Sequence, residues 1–434
     1  MTQRWMLDEI VDAFGARVIV ERDDDGRARS ARFDLAGLPR VDSLLVGRPV
    51  HGVPSLVERL CGICPAAHHL AGIRALDALA GVTELSSTAD AVRRLLHHGA
   101  AVDAHATRLL TTDRDDALPL RQFARAAVAA AGSPGHFPTT AVPGGVVAPV
   151  SSDARHELAS QVGPLVLAAA RIARRLVAAG RTPGVFTGAD AALADASGNP
   201  DLLGDRLRVV AADGTVLEPA ARAERWDEIV AESIPGDPAP RPYLVALGPE
   251  RGCYRVGPVA QLRVGRLTTP VAADLQAHWL RAHCDARAAR AIMAVHSMEA
   301  IGELLGQDAL VSGAVIRPVG RFDHVAVGVG WVDGPRGLLV HRYATSSDGT
   351  VTAATILTPT AQNERWLSEL LRQAAGAWSD DASTTESDME DAIREADPCL
   401  PCSSAPAGAM GLQVETTVPQ TPSNTSSTLN TGGH

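Results

Sequence analysis

The chain has 434 residues, a formal net charge of −10 and six cysteines; it is long enough for a large buried core and too poor in cysteine for a disulfide-stapled secreted fold. All of its permanent positive charge is arginine, and the acidic balance argues against a nucleic-acid-binding face. The most apolar stretch contains Arg171, Arg174 and Arg175, and the N-terminus shows neither a secretory nor a twin-arginine signal, so we expect a cytoplasmic protein without a membrane span.

The first predicted elements are the two strands of a hairpin. Residues 16–21 and 28–35 have β-type patterns and flank an Asp-Asp-Asp-Gly turn that ends at Gly26. Short β-type runs return later in the chain, at residues 243–247, 311–329 and 338–356.

Helical patterning dominates the middle of the chain. Four segments read as helices from the spacing of their apolar residues, namely 66–80, 89–110, 153–179 and 275–305. Glycine- and proline-rich segments predict loops at residues 132–145, 188–204 and 235–242. We therefore expect an α+β fold that is predominantly helical, with a central bundle of long helices and small peripheral β-sheets.

Two Cys-x-x-Cys pairs lie near opposite ends of this region. Cys61 and Cys64 stand in Glu-Arg-Leu-Cys-Gly-Ile-Cys, and Cys399 and Cys402 stand in Asp-Pro-Cys-Leu-Pro-Cys. Because the backbone turns between the two cysteines of a pair, each pair can direct two thiolates at one metal. Zinc is the commonest occupant of a four-cysteine ligand set, so a structural zinc site that holds the chain ends together is one interpretation.

Other features favour a reaction centre over structural zinc. Zinc modules usually place their pairs within roughly 15 to 20 residues, whereas these pairs are remote in the sequence. His68 and His69 follow the first pair within one helical turn, as groups around a metal centre often do, and Glu58 and Arg59 precede it. Thiolates also bind nickel and iron, and the spacing alone does not select the metal.

The residues around both pairs resemble the large, catalytic subunit of nickel-iron hydrogenases. The family's first motif, Arg-x-Cys-Gly-x-Cys-x-x-x-His, is matched from Arg59 to His68. Its second motif, Asp-Pro-Cys-x-x-Cys-x-x-His, is matched from Asp397 to Cys402. Within both motifs this divergent chain is most similar to the cytoplasmic, bidirectional, NAD(P)-linked groups.

Further landmarks extend the resemblance over nearly the whole chain. The segment from Gly334 through Arg336 to His341 is similar to the family's Ala-Pro-Arg-Gly element, whose arginine lies over the open face of the metal pair. Pro359 and Thr360 are similar to its Pro-Ser/Thr element, whose hydroxyl and amide face a cyanide ligand of iron. Three shorter segments also match: Gly47-Arg48-Pro49, Pro143-Gly144-Gly145 and Val256-Gly257-Pro258.

The resemblance implies a nickel-iron centre. Nickel would be held by the thiolates of Cys61, Cys64, Cys399 and Cys402. Cys64 and Cys402 would bridge to an iron that carries carbon monoxide and cyanide. Dihydrogen would be split heterolytically, or protons reduced, with Cys399 as the proton acceptor and Arg336 as a fixed positive charge. The groups around the metals would be Arg59, His68, Pro359 and Thr360.

The resemblance also implies partners. Electrons would pass to iron–sulfur clusters in a separate small subunit, because the remaining cysteines, Cys253 and Cys284, do not form a cluster motif. NAD(P)-reducing diaphorase subunits and maturation factors are further expected partners.

One departure from the family concerns its proton relay. Ala13 stands where the family has a glutamate that carries the proton. Glu58 is the candidate catalytic carboxylate that replaces it, with Glu9 and Asp12 as alternatives.

A second departure concerns magnesium and the C-terminus. Ala405 stands where the family has a histidine that binds magnesium and marks a cleavage point, and Asp42 stands at its magnesium-binding glutamate. We divide the chain into a catalytic domain, residues 1–405, and a C-terminal extension, residues 406–434, which we expect to be disordered or a removable maturation peptide.

Several alternatives remain open from the sequence. Ala13 and Ala405 are compatible with a hydrogenase-like sensor or a low-activity metal-binding homologue, and a structural zinc protein is the third reading. Thr360 has a second interpretation as the cap of a helix that begins near Ala361. His69 is equally compatible with a role near the metals and with ordinary packing.

Overall fold

The computed structural model of the chain describes residues 16–35, 42–59, 62, 64–237, 239–283, 285–376, 382–400, 403 and 408–417. The longer described helices are α3 (Pro65–Leu79), α4 (Ser87–Leu109), α5 (Arg114–Ala130), α6 (Ser152–Ala179), α10 (Pro270–Ala282), α11 (Ala286–Leu305), α13 (Glu364–Gly376) and α14 (Ala382–Ala396). The shorter ones are α1 (Asp42–Leu45), α2 (Val53–Val57), α7 (Trp226–Ile229), α8 (Gly248–Arg251), α9 (Pro258–Val264) and α12 (Pro359–Gln362).

A helical bundle forms the main hydrophobic core. Helices α4, α5, α6 and α11 pack against one another, and α10 packs against α6 and α11. Leu95 on α4 and Ile292 on α11 are fully buried in this core. Ser86 and Ser151 cap α4 and α6 by accepting a backbone amide of the first turn, because a helix leaves its first N–H groups without partners. The predicted bundle of long helices is confirmed.

One predicted helix, residues 275–305, is two helices in the structure. His283 follows α10 in the left-handed conformation, with φ 49°, and Asp285 caps α11 by accepting the Ala288 amide. The apolar periodicity continues on both sides of the break, so the sequence pattern alone does not reveal it.

The described strands form small sheets. They are β1 (Ala16–Arg22), β2 (Ala28–Phe33), β3 (Ala141–Val142), β4 (Gly145–Val146), β5 (Ala189–Ala194), β6 (Arg206–Val210), β7 (Val216–Ala221), β8 (Val230–Glu232), β9 (Pro242–Leu244), β10 (Tyr254–Arg255), β11 (Ala326–Gly334), β12 (Gly337–Thr345), β13 (Val351–Leu357) and β14 (Leu412–Thr417). Three sheets have the strand orders β14-β1-β2, β10-β5-β6-β7 and β11-β12-β13, and two strand pairs are β3-β4 and β8-β9. The α+β class predicted from the sequence is confirmed.

Strand β5 lies where the sequence predicts a loop. Its six residues are all buried and pair with β10 on one side and β6 on the other. Four of the six residues are alanine, which has a low intrinsic preference for strands. The loop prediction is therefore wrong for this segment, because burial between two neighbouring strands outweighs the local preference.

Helix α3 lies directly on strand β11. A Cβ at Gly328 would come within 2.3 Å of the Ala75 carbonyl oxygen, and one at Gly330 within 2.2 Å of the Ala71 oxygen, so only glycine permits this approach. At the end of the strand, a Cβ at Gly334 would lie 3.6 Å from the Ala67 side chain. The first turn of α3 therefore lies next to the tip of the β11–β12 hairpin.

The predicted N-terminal hairpin is confirmed, but it gains a third strand from the C-terminal extension. Strands β1 and β2 pair antiparallel, and β14 pairs parallel with β1 from Ala16 with Leu412 to Glu21 with Thr417. The expectation that the extension is disordered is therefore wrong for Leu412–Thr417. Its other role, as a removable maturation peptide, stays a prediction.

Two further contacts anchor the extension. Met410 is only 1% exposed. The Glu390 carboxylate on α14 accepts the amides of Gly408 and Met410 at 2.8 and 3.1 Å. This segment is thus part of the hydrophobic core of the chain.

Among the described helices, none combines the length and the apolar character that crossing a membrane requires.

We expect Met410→Ala to destabilise the full chain by about 2–4 kcal/mol, because it leaves a cavity in a packed core. Val414→Ala, on the partly exposed face of β14, is the matched control and is expected to cost less than about 1 kcal/mol. Urea unfolding of the unprocessed chain measures both values. Equal, small effects would show that the segment is not docked.

Candidate metal centre

The described part of the first cysteine pair lies at the start of helix α3. Cys64 is the N-cap residue and Pro65 the first helical residue, where the missing N–H of proline is tolerated. The Cys64 carbonyl accepts the amides of Ala67 and His68, so the helix holds the cysteine backbone. Cys61 lies outside the described residues, and its place beside Cys64 stays a prediction.

Arg336 lies at the tip of the β11–β12 hairpin. Gly334 pairs with Gly337, so Pro335 and Arg336 form a two-residue turn. Gly337 has φ 126°, in the region that favours glycine. Arg336 and Cys64 line the same cavity, which has a volume of about 550 Å³. The structure thus brings the first cysteine motif and the Gly-Pro-Arg-Gly element together.

Asp397, two residues before Cys399, binds three arginines from distant parts of the chain. Its carboxylate lies 2.5 Å from Arg108 Nη2 on α4, 3.6 Å from Arg290 Nε on α11 and 3.5 Å from Arg336 Nε. All four side chains are at most 14% exposed. We call these four residues the Asp397 cluster. It joins the helical bundle, the hairpin tip and the second cysteine pair.

The charges of the Asp397 cluster do not cancel. Burial by itself raises the pKa of Asp397, but Arg336, Arg108 and Arg290 together lower it well below its usual range. One carboxylate faces three guanidinium groups, which leaves net positive charge beside the cavity. Burial, and then the Arg290 charge, lower the pKa of His105 to about 3, so the neighbouring imidazole is neutral.

Thr360 holds the backbone of Cys399. Its hydroxyl oxygen accepts the Cys399 amide at 2.7 Å, and the hydroxyl hydrogen is then available to donate elsewhere. Thr358, and not Thr360, caps the short helix α12 by accepting the Ala361 amide. The interpretation of Thr360 as a helix cap is therefore wrong. Cys402 lies outside the described residues.

Asn363 connects two of the segments that the sequence singles out. Its side chain accepts the Val256 amide at 2.8 Å and donates to the Val256 carbonyl at 3.2 Å. Gly257 approaches the hairpin tip so closely that a Cβ would lie 2.7 Å from the Arg336 carbonyl oxygen. Pro359, the first residue of α12, is buried in the same region. The Val-Gly-Pro segment therefore fits between α12 and the hairpin.

His68 belongs to a buried chain of hydrogen bonds. His68 Nδ1 lies 3.1 Å from His341 Nε2, and His341 Nδ1 lies 2.6 Å from the Tyr343 hydroxyl. His341 and Tyr343 are fully buried, and His68 is 6% exposed. Burial, and then His68, lower the pKa of His341 well below its usual range, so this imidazole is neutral.

His69 pairs with Glu58. The Ala141 amide donates to His69 Nε2 at 3.1 Å, which requires the proton of the neutral ring to lie on Nδ1. That Nδ1–H donates to the Glu58 carboxylate at 2.9 Å. Both side chains are buried. Because both ring nitrogens are used within the protein, His69 holds Glu58 and is not available as a metal ligand.

Arg59 and Asp42 lie at different places from the cluster. Arg59 is exposed, its Nε donates to the Ser55 carbonyl and its guanidinium stacks over the Phe137 ring at 5.2 Å. Asp42 begins α1 and accepts the Ile356 amide at 2.8 Å. The structure thus places Arg59 at the surface, and its predicted role beside the metals has no described contact in support.

The sequence pattern does not single out Arg108, Arg290 or Asp333. Both arginines lie within helices and carry no local motif, so only their convergence on Asp397 identifies them. Asp333 has a weak signal, since it is a lone carboxylate in the apolar strand β11 just before the Gly-Pro-Arg-Gly element. The His97 Nε2–H donates to its backbone carbonyl at 3.0 Å.

The donor set fits a metal that prefers sulfur. Cys64 and Cys399, one from each pair, both lie next to Arg336, and thiolates are the soft ligands that nickel and iron accept. Within the described ranges, no three histidine, cysteine or acidic side chains form a metal-binding group, and two of the four predicted thiolates fall outside those ranges.

Comparisons with known proteins agree with this geometry. A model of the nickel-dependent hydrogenase family matches residues 40–110. A vhu subunit of the F420-non-reducing hydrogenase of Methanococcus voltae is 28% identical over 401 residues, covering 83% of this chain and 94% of that protein. The beta subunit of the NAD-reducing hydrogenase HoxS of Cupriavidus necator is 26% identical, covering 95% and 97%.

A solved structure decides the family. The crystal structure of an NAD⁺-reducing nickel-iron hydrogenase in its H2-reduced state superimposes with a TM-score of 0.77 at 30% identity, covering 88% of this chain and 95% of that chain. The chain belongs to the nickel-iron hydrogenase family. It is a divergent large, catalytic subunit, which makes it an oxidoreductase that acts on dihydrogen, and its metals are nickel and iron. The interpretation as a structural zinc protein is set aside.

We expect Asp397→Asn to destabilise the hydrogenase large chain by about 3 kcal/mol or more, because three buried arginines lose their common counter-charge. Asp116 is the matched control, since it also binds two arginines, Arg171 and Arg175, but both of these are about half exposed. Asp116→Asn is expected to cost less than about 1 kcal/mol. Chemical denaturation compares the two variants. Similar losses would mean that the Asp397 cluster does not support the fold.

Asp333 gives an expected pH dependence. Burial raises its pKa from 3.8 to about 7, although the Leu193 amide and the Gln261 side chain donate to its carboxylate. The folded chain therefore binds this proton more tightly than the unfolded chain, and the group destabilises the fold increasingly as pH rises from about 4 to about 7. The total is up to about 4 kcal/mol.

In Asp333→Asn this titration is absent, so the free energy of unfolding should vary less between about pH 5 and about pH 8 than in the wild type. Denaturant titrations at several pH values measure the difference. Asp153→Asn, at an exposed position, should leave the wild-type profile unchanged. A profile for Asp333→Asn that matches the wild type would refute the assignment.

Proposed function

We propose that nickel is held by Cys61, Cys64, Cys399 and Cys402, with Cys64 and Cys402 bridging to an iron that carries carbon monoxide and cyanide. One observation carries the proposal: residues from opposite ends of the chain, Cys64 and Cys399, are both brought next to Arg336. Cys64 shares a cavity with the arginine, and Cys399 follows the carboxylate that binds it.

The chemistry divides between metals and protein. When bound, the nickel-iron centre supplies the Lewis acidity and the electron acceptance that heterolytic cleavage of dihydrogen requires. The Cys399 thiolate takes up the proton, and Thr360 keeps the backbone of that cysteine in place through the 2.7 Å hydrogen bond. Arg336 supplies a positive charge that does not titrate, fixed by Asp397 at 3.5 Å.

Glu58 is our candidate for the next proton carrier. Ala13, at the family's relay position, lies outside the described residues, whereas Glu58 is buried and accepts a hydrogen bond from His69 Nδ1. That donor stabilises the carboxylate form, which is the form that accepts a proton. Glu58 also stands three residues before Cys61 in the sequence.

Asp42 is our candidate magnesium ligand. One of its oxygens accepts the Ile356 amide, which orients the carboxylate, and carboxylate oxygen is the ligand that magnesium prefers. Ala405, at the family's histidine position, lies outside the described residues, so this proposal depends on Asp42 alone.

We propose that the electron-accepting partner is an iron–sulfur small subunit, with NAD(P)-linked diaphorase subunits beyond it. The support is that two of the similar proteins are named for NAD reduction. Cys253 does not offer this chain a cluster ligand of its own, since burial raises the pKa of its thiol to about 11. A cytoplasmic location and processing by maturation factors complete the proposal.

Metal analysis combined with infrared spectroscopy tests the centre. We expect the chain, purified with its small subunit, to contain nickel and iron and to show carbonyl and cyanide stretching bands. Cys64→Ser and Cys399→Ser are expected to lose most of the nickel, because a serine hydroxyl is a poor ligand for it. Zinc without these bands, or full nickel in both variants, would refute the ligand set.

Cys253→Ser is the matched control, since Cys253 is a half-buried cysteine outside both pairs. It should retain nickel and both sets of bands. Hydrogen-dependent reduction of a dye, and separately of NAD⁺, then distinguishes an active enzyme from a sensor and identifies the acceptor.

A further inference from the structure

We propose that Tyr343 is a positioning residue for the metal centre: through His341 it holds His68 in the tautomer with the proton on Nε2, so that His68 acts as a hydrogen-bond donor and not as a proton acceptor. The functional part of this inference rests on the proposed nickel-iron centre. The structural part does not, because it concerns three side chains of this chain alone.

The three residues come from two elements that pack together. His68 lies in the first turn of α3, four residues after Cys64. His341 and Tyr343 are alternate residues of strand β12, so their side chains leave the same face of the sheet. Because α3 packs on the β11–β12 hairpin, this face of the strand meets the start of the cysteine helix.

The direction of the hydrogen bonds follows from the tyrosine. Burial, and then the charge of Asp42, raise the pKa of Tyr343, so its hydroxyl keeps its hydrogen. The hydroxyl has a single hydrogen-bond partner among the described residues, His341 Nδ1 at 2.6 Å. If it accepted from Nδ1, its own hydrogen would be buried without an acceptor, at a cost of about 1–3 kcal/mol. The Tyr343 hydroxyl therefore donates to Nδ1.

This donation sets the two imidazoles in turn. A neutral imidazole whose Nδ1 accepts carries its proton on Nε2, so His341 Nε2 donates to His68 Nδ1 across 3.1 Å. His68 Nδ1 is then an acceptor, and its proton lies on Nε2. The chain has one direction, from phenol to His341 to His68.

The consequence concerns the anionic groups of the centre. A histidine with a fixed Nε2–H donates to a thiolate or a cyanide and lowers the electron density there, as hydrogen bonds around metal ligands generally do. The same ring is a poor base, because its other nitrogen is already occupied by the His341 hydrogen bond. The proton from dihydrogen must therefore leave by another route.

Nitrogen NMR of the full chain, labelled with ¹⁵N in its histidines, tests the tautomers directly, since protonated and bare ring nitrogens differ widely in shift. Near neutral pH, we expect bare Nδ1 and protonated Nε2 for both His341 and His68. The signals are assigned with His341→Gln and His68→Gln. Protonated Nδ1 on His341, or a doubly protonated His341, would overturn the proposal from the wild-type spectrum alone.

Tyr343→Phe removes the donor with little change in volume. We expect His341 and His68 in this variant to populate both tautomers. Tyr254→Phe is the matched control, because Tyr254 is the other fully buried tyrosine and its hydroxyl donates to Gln362, away from both histidines. It should leave both tautomers as in the wild type. Unchanged tautomers in Tyr343→Phe would contradict the positioning role.

The enzyme with its metals gives a second readout. Tyr343→Phe should shift the carbonyl and cyanide bands, whereas Tyr254→Phe should not. Changed tautomers with unshifted bands would refute the effect on the metals. Absence of nickel and of these bands in the wild type would instead refute the proposed centre, and it would leave the tautomer result standing.

Discussion

The Asp397 carboxylate is the interaction on which the site depends. It binds Arg108, Arg290 and Arg336, which come from α4, α11 and the β11–β12 hairpin. A buried charge must be neutralised or hydrogen-bonded, so these elements cannot move apart without leaving guanidinium groups unpaired in the interior. Since Cys399 follows two residues later, the same contacts fix where the second cysteine pair leaves α14.

Close backbone packing gives the first cysteine pair a comparable anchor. Glycines at 328 and 330 let α3 lie directly on β11, which brings Cys64, at the start of the helix, beside Arg336, at the tip of the hairpin. Helix α12 contributes from the other side, where Thr360 holds the Cys399 backbone. The cysteine backbones are thus held by rigid elements and not by mobile loops, as a preorganised metal centre requires.

The polar groups around the cavity are distributed by charge. Net positive charge lies on the side of Asp397, where Arg336 cannot lose its proton, and neutral imidazoles lie on the side of α3. His69 is committed to Glu58 and His341 to Tyr343. Two histidines that look interchangeable in the sequence, His68 and His69, therefore have different partners and different roles.

The sequence by itself determined the family, the helical character and the four candidate ligands, because the spacing and flanks of each cysteine pair are local properties of the chain. It also predicted Arg336 and Thr360 from short motifs. It did not reveal the break before α11 or strand β5, since both depend on neighbours far away in the chain.

Only the tertiary structure decided which arginines surround Asp397, that His69 pairs with Glu58, and that the C-terminal extension forms a strand on β1. Each of these contacts joins residues that share no local pattern. Burial makes them obligatory, because a charge or a backbone amide removed from water must find its partner wherever the fold places one.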